Sequence, residues 1–474
     1  MKILKNYLYN AGYQLLTLIL PLITAPYISR TLGSKGVGQY SFTYSIITWF
    51  TLITSIGIAY YGDRQIAYSR NDKYKMSKTF WELQIIKLIM TVITFVIFVG
   101  FINVYHKYTW LLILQSLNIF ASTLDISWFY MGLEDFKITV TRNTIVKIVS
   151  IVLIFIFVHK QSDTWLYILI LAMSLVMGNL TLWPSLKKKL VRVSFRDLQP
   201  FVHLRESLVL FLPSIATRVY LTLNKTALGV IAGATAAGFY SNSDNLIQIV
   251  ISIVTATGTV ILPRAASEFA KGNKDEIKRM LYISFDFVSC LSIPMAFGVA
   301  AVALKLSTFF YGNGFAPVGP VMMIESFIIV FVAWSNAIGI QYLLPIRRTK
   351  DYTKSLIVSA LFSIVLNIPL IMVWGLHGAM ITTVLCEGLV TIYQLFTVRK
   401  ELSVTKLFAD VPKFLLAGVI MFTMVFWLNL NWDFNILTMI VEVLIGIISD
   451  GVVLILLRPK ILKTVKEYII ERKS

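Results

Sequence analysis

Five basic side chains, Lys87, Lys147, Arg218, Lys225 and Lys305, fall inside stretches too apolar to read as loops. A charge held in hydrocarbon costs about 2.5–3.5 kcal/mol on insertion scales, so each marks a functional position by default. Arg218 and Lys225 stand seven residues apart and share one helical face. Lys147 lies near the middle of its run and Lys87 about two turns in from one end. Lys305 and Arg30 stand at run ends, where a long side chain reaches the interface. Basic groups lining a water-filled cleft can replace the hydration of a multiply negative group with charge-assisted hydrogen bonds. Acids also fall within or at the edges of apolar runs: Glu82, Asp125, Asp244, Asp286, Glu325, Glu387 and Glu442. Of these, Asp125 and Asp244 are the candidates to carry a coupling H⁺ or Na⁺. For each charge, the plainer alternative is an ion pair or a cap that serves only the fold.

The elements that must position these groups are membrane helices. Of 474 residues, 57% are hydrophobic and 14% charged, and the mean hydropathy is +0.76. Soluble domains are about 45–50% apolar and about 25% charged. The net charge of +19 sits between the apolar runs, which points to membrane orientation and anionic lipid, not to nucleic acid. Cys290 and Cys386 both lie in apolar runs and form no disulfide framework, and His106, His159, His203 and His377 have no metal-ligand spacing.

About twenty apolar residues cross a bilayer. That criterion gives about fourteen spans, near 6–28, 37–62, 79–104, 109–131, 138–158, 163–184, 207–231, 235–262, 279–303, 317–343, 353–373, 376–398, 411–430 and 434–457. The first run continues through Pro26 to Ile28 with no small-residue cleavage site, so it reads as a retained helix. Lys and Arg then alternate between connections, about 34 on one side against 4 on the other. The four are Arg30, Lys35, Lys107 and Lys160, and the split makes both termini cytoplasmic. Trp110, Trp165, Trp374 and Trp432 fall near the outer interfaces, as an aromatic belt requires.

The chain also repeats itself. SRTLGSKGVGQYS at 29–41 parallels NKTALGVIAGATAAGFYS at 224–241, with Gly38, Tyr40 and Ser41 matching Gly238, Tyr240 and Ser241. Leu32-Gly33 matches Leu228-Gly229 after a small shift, Arg64 matches Arg264, and Tyr130-Met131 matches Tyr342-Leu343. By the same repeat Arg30 answers Lys225. An even number of spans per copy makes the repeat parallel. The expected fold is all-α: an N-lobe at 1–184, a basic cytoplasmic linker at 185–206, a C-lobe at 207–398, and a C-terminal helix pair with a basic tail at 399–474. The two six-helix lobes flank a central cleft, an architecture for alternating access. Pro21 and Pro26 in the first span, and Pro213 in the seventh, would let matched gating helices bend.

Four segments carry a family resemblance: ISRTLGSKGVGQYSF at 28–42, YYGDRQIAYSR at 60–70, DISWFYMGLEDFK at 125–137 and LPRAASEFAKGN at 262–273. They resemble the Wzx-type oligosaccharide flippases of the multidrug/oligosaccharidyl-lipid/polysaccharide exporter superfamily, and the likeness covers nearly the whole chain. The resemblance implies movement of undecaprenyl-pyrophosphate-linked repeat units from the inner to the outer leaflet of a bacterial cytoplasmic membrane, for capsule, exopolysaccharide or O-antigen synthesis. It makes Lys87, Lys147, Arg218 and Lys225 candidates for the pyrophosphate, with Arg30 at the outer mouth. It also implies partners in the pathway's polymerase and glycosyltransferases.

Three other functions compete. A lipid II flippase would share the fold and a cationic cleft. A cation-coupled multidrug antiporter needs an acidic cleft. A pure scaffold has no need of costly intramembrane charge. GxxxxGK[ST], HExxH, GxSxG and EF-hand patterns are all missing, so the sequence offers no nucleotide hydrolysis by the P-loop route and no enzyme site, metal or cofactor beyond a coupling H⁺ or Na⁺.

Overall fold

The computed structural model describes residues 2–462, and within them the side chains of 19–462 except 136, 210, 212–214, 216, 217, 219–221, 257–261, 263 and 264. The described residues form helices and connections without a strand. In chain order the helices are α1 (Lys2–Ser55), α2 (Ile58–Ser69), α3 (Lys73–Val104), α4 (Thr109–Gln115), α5 (Leu117–Leu124), α6 (Ser127–Gly132), α7 (Phe136–Phe157), α8 (Thr164–Leu180) and α9 (Leu204–Ile231). There follow α10 (Ala234–Ala270), α11 (Lys274–Tyr311), α12 (Val318–Glu325), α13 (Ile328–Ser335), α14 (Thr349–Val398), α15 (Val404–Leu407), α16 (Val411–Asn431) and α17 (Ile436–Leu457). Ten segments among the described residues are long and apolar enough to cross a membrane.

Helix covers every expected span. α1 and α14 each hold two of them, α1 broken at Gly33 (φ 67°) and α14 at Gly375 (φ 54°). A straight 50-residue helix would run about 75 Å, against a hydrocarbon core of about 30 Å. At Gly378 an added Cβ would sit 1.9 Å from the Leu370 carbonyl oxygen. A continuous helix would hold those residues about 12 Å apart, so the chain reverses there.

Two expected spans are interrupted. The span at 109–131 is α4, α5 and α6, with its main break at Asp125 and Ile126, and the span at 317–343 is α12, α13 and a π-helical stretch over Asn336–Leu343. Apolar run length alone cannot reveal such breaks, because it averages over them. The span at 37–62 likewise stops at Ser55, turns through Ile56 and Gly57, and restarts as α2.

The chain divides into two compact units, Met1–Gly229 and Val230–Ser474, with the boundary inside α9. The expectation from sequence puts residues 207–231 of that helix in the second lobe. Most of it packs within the first unit. Ser207 Oγ donates to the Ile56 carbonyl at 2.6 Å, Thr226 Oγ1 donates to Ser45 Oγ at 3.0 Å, and Trp49 Nε1 donates to Thr226 Oγ1 at 3.0 Å.

Each unit buries a Phe–Trp stack at corresponding places. Phe80 of α3 stacks on Trp128 at 5.6 Å in the first, and Phe285 of α11 on Trp334 at 5.8 Å in the second. A second phenylalanine meets each stack edge-on, Phe129 at Phe80 and Phe408 at Phe285. The stacks align Trp128 with Trp334, a different register from the pairing of Tyr130 with Tyr342. Outside these cores the apolar residues face outward: Val92, Val96, Met372, Val373, Leu437 and Ile455 are all exposed. Water would penalise that surface and lipid does not. The four belt tryptophans are exposed as well.

The linker is pinned to the first unit. Glu82 of α3 accepts from the Gln199 backbone N–H at 2.7 Å and hydrogen-bonds His203 Nε2 at 2.9 Å, while Tyr61 hydrogen-bonds the other ring nitrogen at 2.8 Å. Arg64 pairs with Glu206 at 3.1 Å and Tyr74 donates to Asp197 at 2.6 Å.

Candidate functional site

A helix that stops inside a membrane leaves its last carbonyls without intrahelical partners, and no water is at hand to take them. At the end of α5, two helices, α3 and α8, and the chain just beyond α8 supply side-chain donors instead. Asn179 donates to the Ala121 carbonyl at 2.7 Å and Gln84 to Thr123 at 2.9 Å. The Trp183 indole N–H donates to Leu124 at 2.9 Å, and the Lys87 ammonium to Asp125 at 2.6 Å. Gln84 and Lys87 are one turn apart on α3, which is why both reach the same break.

The Asp125 carboxylate is engaged too. Its Oδ1 accepts from the Ser127 backbone N–H at 2.9 Å and from the Ser127 hydroxyl, and lies 3.7 Å from the Arg142 guanidinium. Arg142 also donates to Asn179 at 2.7 Å and to Asn143. Arg142 is not among the candidate cations that the sequence offers. It stands in the second turn of α7, its side chain 12% exposed. Its position inside the span expected at 138–158 was the available signal.

The structure thus brings Lys87 and Asp125 into contact. Lys87 is 4% exposed, its charge spent on a carbonyl. Lys147 lies half-buried on α7, Lys225 half-buried on α9 and Arg218 exposed on α9, and Arg30 is exposed just before the Gly33 break. All five candidate cations belong to the first compact unit. Asp244 belongs to the second, on α10, where it accepts from Gln248 one turn on at 3.2 Å. Lys305, near the C-terminal end of α11, donates to the Leu430 and Trp432 carbonyls at 3.2 and 2.7 Å and so caps α16. The side chains of Pro213 and Arg264, those of Lys2 and Lys5, and residues 463–474 lie outside the described residues.

The second unit buries acids of its own. Glu325 is fully buried and accepts from Ser243, next to Asp244. Glu442 of α17 is fully buried and accepts from Asn429 of α16 at 3.0 Å. No group of three His, Cys, Asp or Glu among the described residues could hold a metal ion.

Known proteins resemble this chain in sequence and in fold. A protein of Escherichia coli (strain K12) named "Putative O-antigen transporter" is 26% identical over 411 residues, covering 84% of this chain and 97% of that protein. A protein of Shigella dysenteriae with the same name is 22% identical over 387 residues, covering 80% and 96%. The solved structure "Lipid II flippase MurJ, inward closed conformation" superposes with a TM-score of 0.76 at 15% identity, over 95% of this chain and 99% of that one. The model of one family matches residues 3–269, which hold the first compact unit, the linker and the whole basic constellation. By that match the chain belongs to the family described as polysaccharide biosynthesis protein.

Proposed function

We propose that the protein is a transporter, not an enzyme, and that it flips polyprenyl-pyrophosphate-linked oligosaccharide repeat units from the inner to the outer leaflet of the cytoplasmic membrane. The observation that carries the reading is that four of the five basic side chains within apolar runs, Lys87, Lys147, Arg218 and Lys225, lie in the unit that the family match covers. A pyrophosphate diester has about two negative charges, and basic groups beside a polar path offer it hydrogen bonds that lipid cannot. Arg218, Lys225, Lys147 and Arg30 are its contacts in this reading. Lys87, already donating to a carbonyl, holds the Asp125 break in place.

The reading includes fourteen crossings, cytoplasmic termini, and two parallel repeats that alternate access. It also includes partners among the polymerase and glycosyltransferases that act on the same repeat unit, and coupling to H⁺ or Na⁺ through Asp125 or Asp244. Moving a dianionic head group outward from a negative interior gains about 4–5 kcal/mol per 100 mV, so the potential supplies drive even without an ion. The lipid II alternative is supported by likeness of fold, at 15% identity.

The test is leaflet accessibility of a labelled undecaprenyl-pyrophosphate oligosaccharide in proteoliposomes. Protein-dependent flipping, faster than for lipid II, supports the reading. Preference for lipid II selects the alternative, and efflux of cationic dyes without lipid flipping removes both.

A further inference from the structure

A cavity of about 360 Å³ opens in the second unit, lined by Phe269, Lys274, Ile277, Lys278, Arg348 and Glu401 among others. Most of the bases around it have acids to match. Lys271 pairs with Glu268 at 2.7 Å, Arg279 with Glu276 at 3.5 Å, and Arg348 with Asp351 and Glu401 at 2.7 and 2.6 Å. Glu401 also accepts from the Tyr342 hydroxyl at 3.1 Å, so its charge is already shared. Lys274 and Lys278 stand one turn apart on α11, face the same cavity, and have no ion pair among the described residues. Asp275 lies three residues before Lys278, within helical reach of it, yet forms no ion pair with either lysine among the described residues.

We infer that this cavity binds the phosphate-bearing head group of an anionic phospholipid. Its volume suits a small-molecule head group. The two lysines give paired cationic donors for a phosphate, and Phe269, Ile277 and Ile346 give the apolar wall that a glycerol backbone and the first acyl carbons require. It lies among the connections that carry the chain's excess Lys and Arg, and basic pockets on that side of a membrane protein face the leaflet rich in anionic lipid. Free phosphate shares the charge but not the apolar contact, which is why a lipid is the occupant. The inference does not depend on which substrate the protein transports.

The test is native mass spectrometry of the full-length protein with phosphatidylglycerol, phosphatidylcholine or inorganic phosphate. The proteins are the wild type, Lys274→Gln/Lys278→Gln, and Lys271→Gln/Arg279→Gln as a charge-matched control outside the cavity. Expected is retained phosphatidylglycerol on wild type and control, and about tenfold or more weaker retention on the double variant. Phosphatidylcholine should bind all three alike. Equal phosphatidylglycerol retention by the double variant overturns the site. Inorganic phosphate that binds the wild type as well as the lipid does, with the same lysine dependence, overturns the lipid as occupant.

Discussion

The Lys87 ammonium lies 2.6 Å from the carbonyl oxygen of Asp125, the last of four backbone acceptors capped by side chains where α5 breaks off inside the membrane. The donor is a full positive charge, the acceptor a carbonyl that lipid could not solvate. Lys87→Met keeps the apolar stem and removes the donor, leaving the carbonyl bare at a cost of about 1–3 kcal/mol. Thermal unfolding in detergent should show a clearly lower midpoint for Lys87→Met. An unchanged midpoint would mean that this bond contributes nothing to the break.

Gly57 is held at φ 75°, and a Cβ there would sit 2.7 Å from both the Ser207 carbonyl oxygen and Phe211 Cβ. Positive φ and a backbone neighbour leave no room for relaxation. Gly57→Ala should destabilise by more than about 1 kcal/mol and loosen α9 from the turn that it covers. Limited proteolysis near residue 57 should be faster in the variant, and equal rates would count against the packing.

The two Phe–Trp stacks should behave alike if they are equivalent positions of one repeat. Trp128→Ala and Trp334→Ala each empty a packed aromatic site, at about 3–5 kcal/mol, while Trp→Phe at either position should cost far less. Comparing the four unfolding midpoints checks the repeat through energetics. A large loss at one position and none at the other would contradict it.

Buried hydrogen bonding ties the terminal helix pair together. Asn429 donates to the fully buried Glu442 at 3.0 Å. Asn429→Ala leaves that acid without its donor and should lower stability by about 1–3 kcal/mol. Glu442→Gln, which keeps the shape, should lower it less. The order of midpoints, wild type above Glu442→Gln above Asn429→Ala, is the check.

Much of the fold was legible in the residues because membrane helices obey few rules. Run length gave both ends of Ile436–Leu457 and the C-terminal end of Lys73–Val104 to within two residues, while the latter helix begins six residues before the expected span. The interruptions were not legible. Asp125 and Asn336 lie in runs whose mean apolarity hides a local break, and only the side chains gathered around them reveal it. Arg142 was missed for a related reason: it sits near a span end, where a charge reads as solvated until a partner such as Asp125 appears from another helix. Lys87 was noticed because a charge two turns inside a span is rare, but its acceptor is a backbone atom, and sequence carries no mark for that. That Arg218 and Lys225 belong with Lys87 and Lys147 became visible only when the boundary fell inside α9 and placed both with the first unit.

The central claim is that Arg218 and Lys225, on one helix of the first unit, hold the pyrophosphate during flipping. The most direct measurement is the flipping rate of a labelled undecaprenyl-pyrophosphate oligosaccharide in proteoliposomes, wild type against Arg218→Ala/Lys225→Ala. Both proteins are reconstituted at equal density and checked for equal unfolding midpoints. Loss of charge-assisted hydrogen bonds worth about 1.5–3 kcal/mol apiece should slow flipping at least about tenfold. Partial recovery is expected in Arg218→Lys/Lys225→Arg, which restores both charges. A double alanine variant that folds normally and flips at the wild-type rate would contradict the claim.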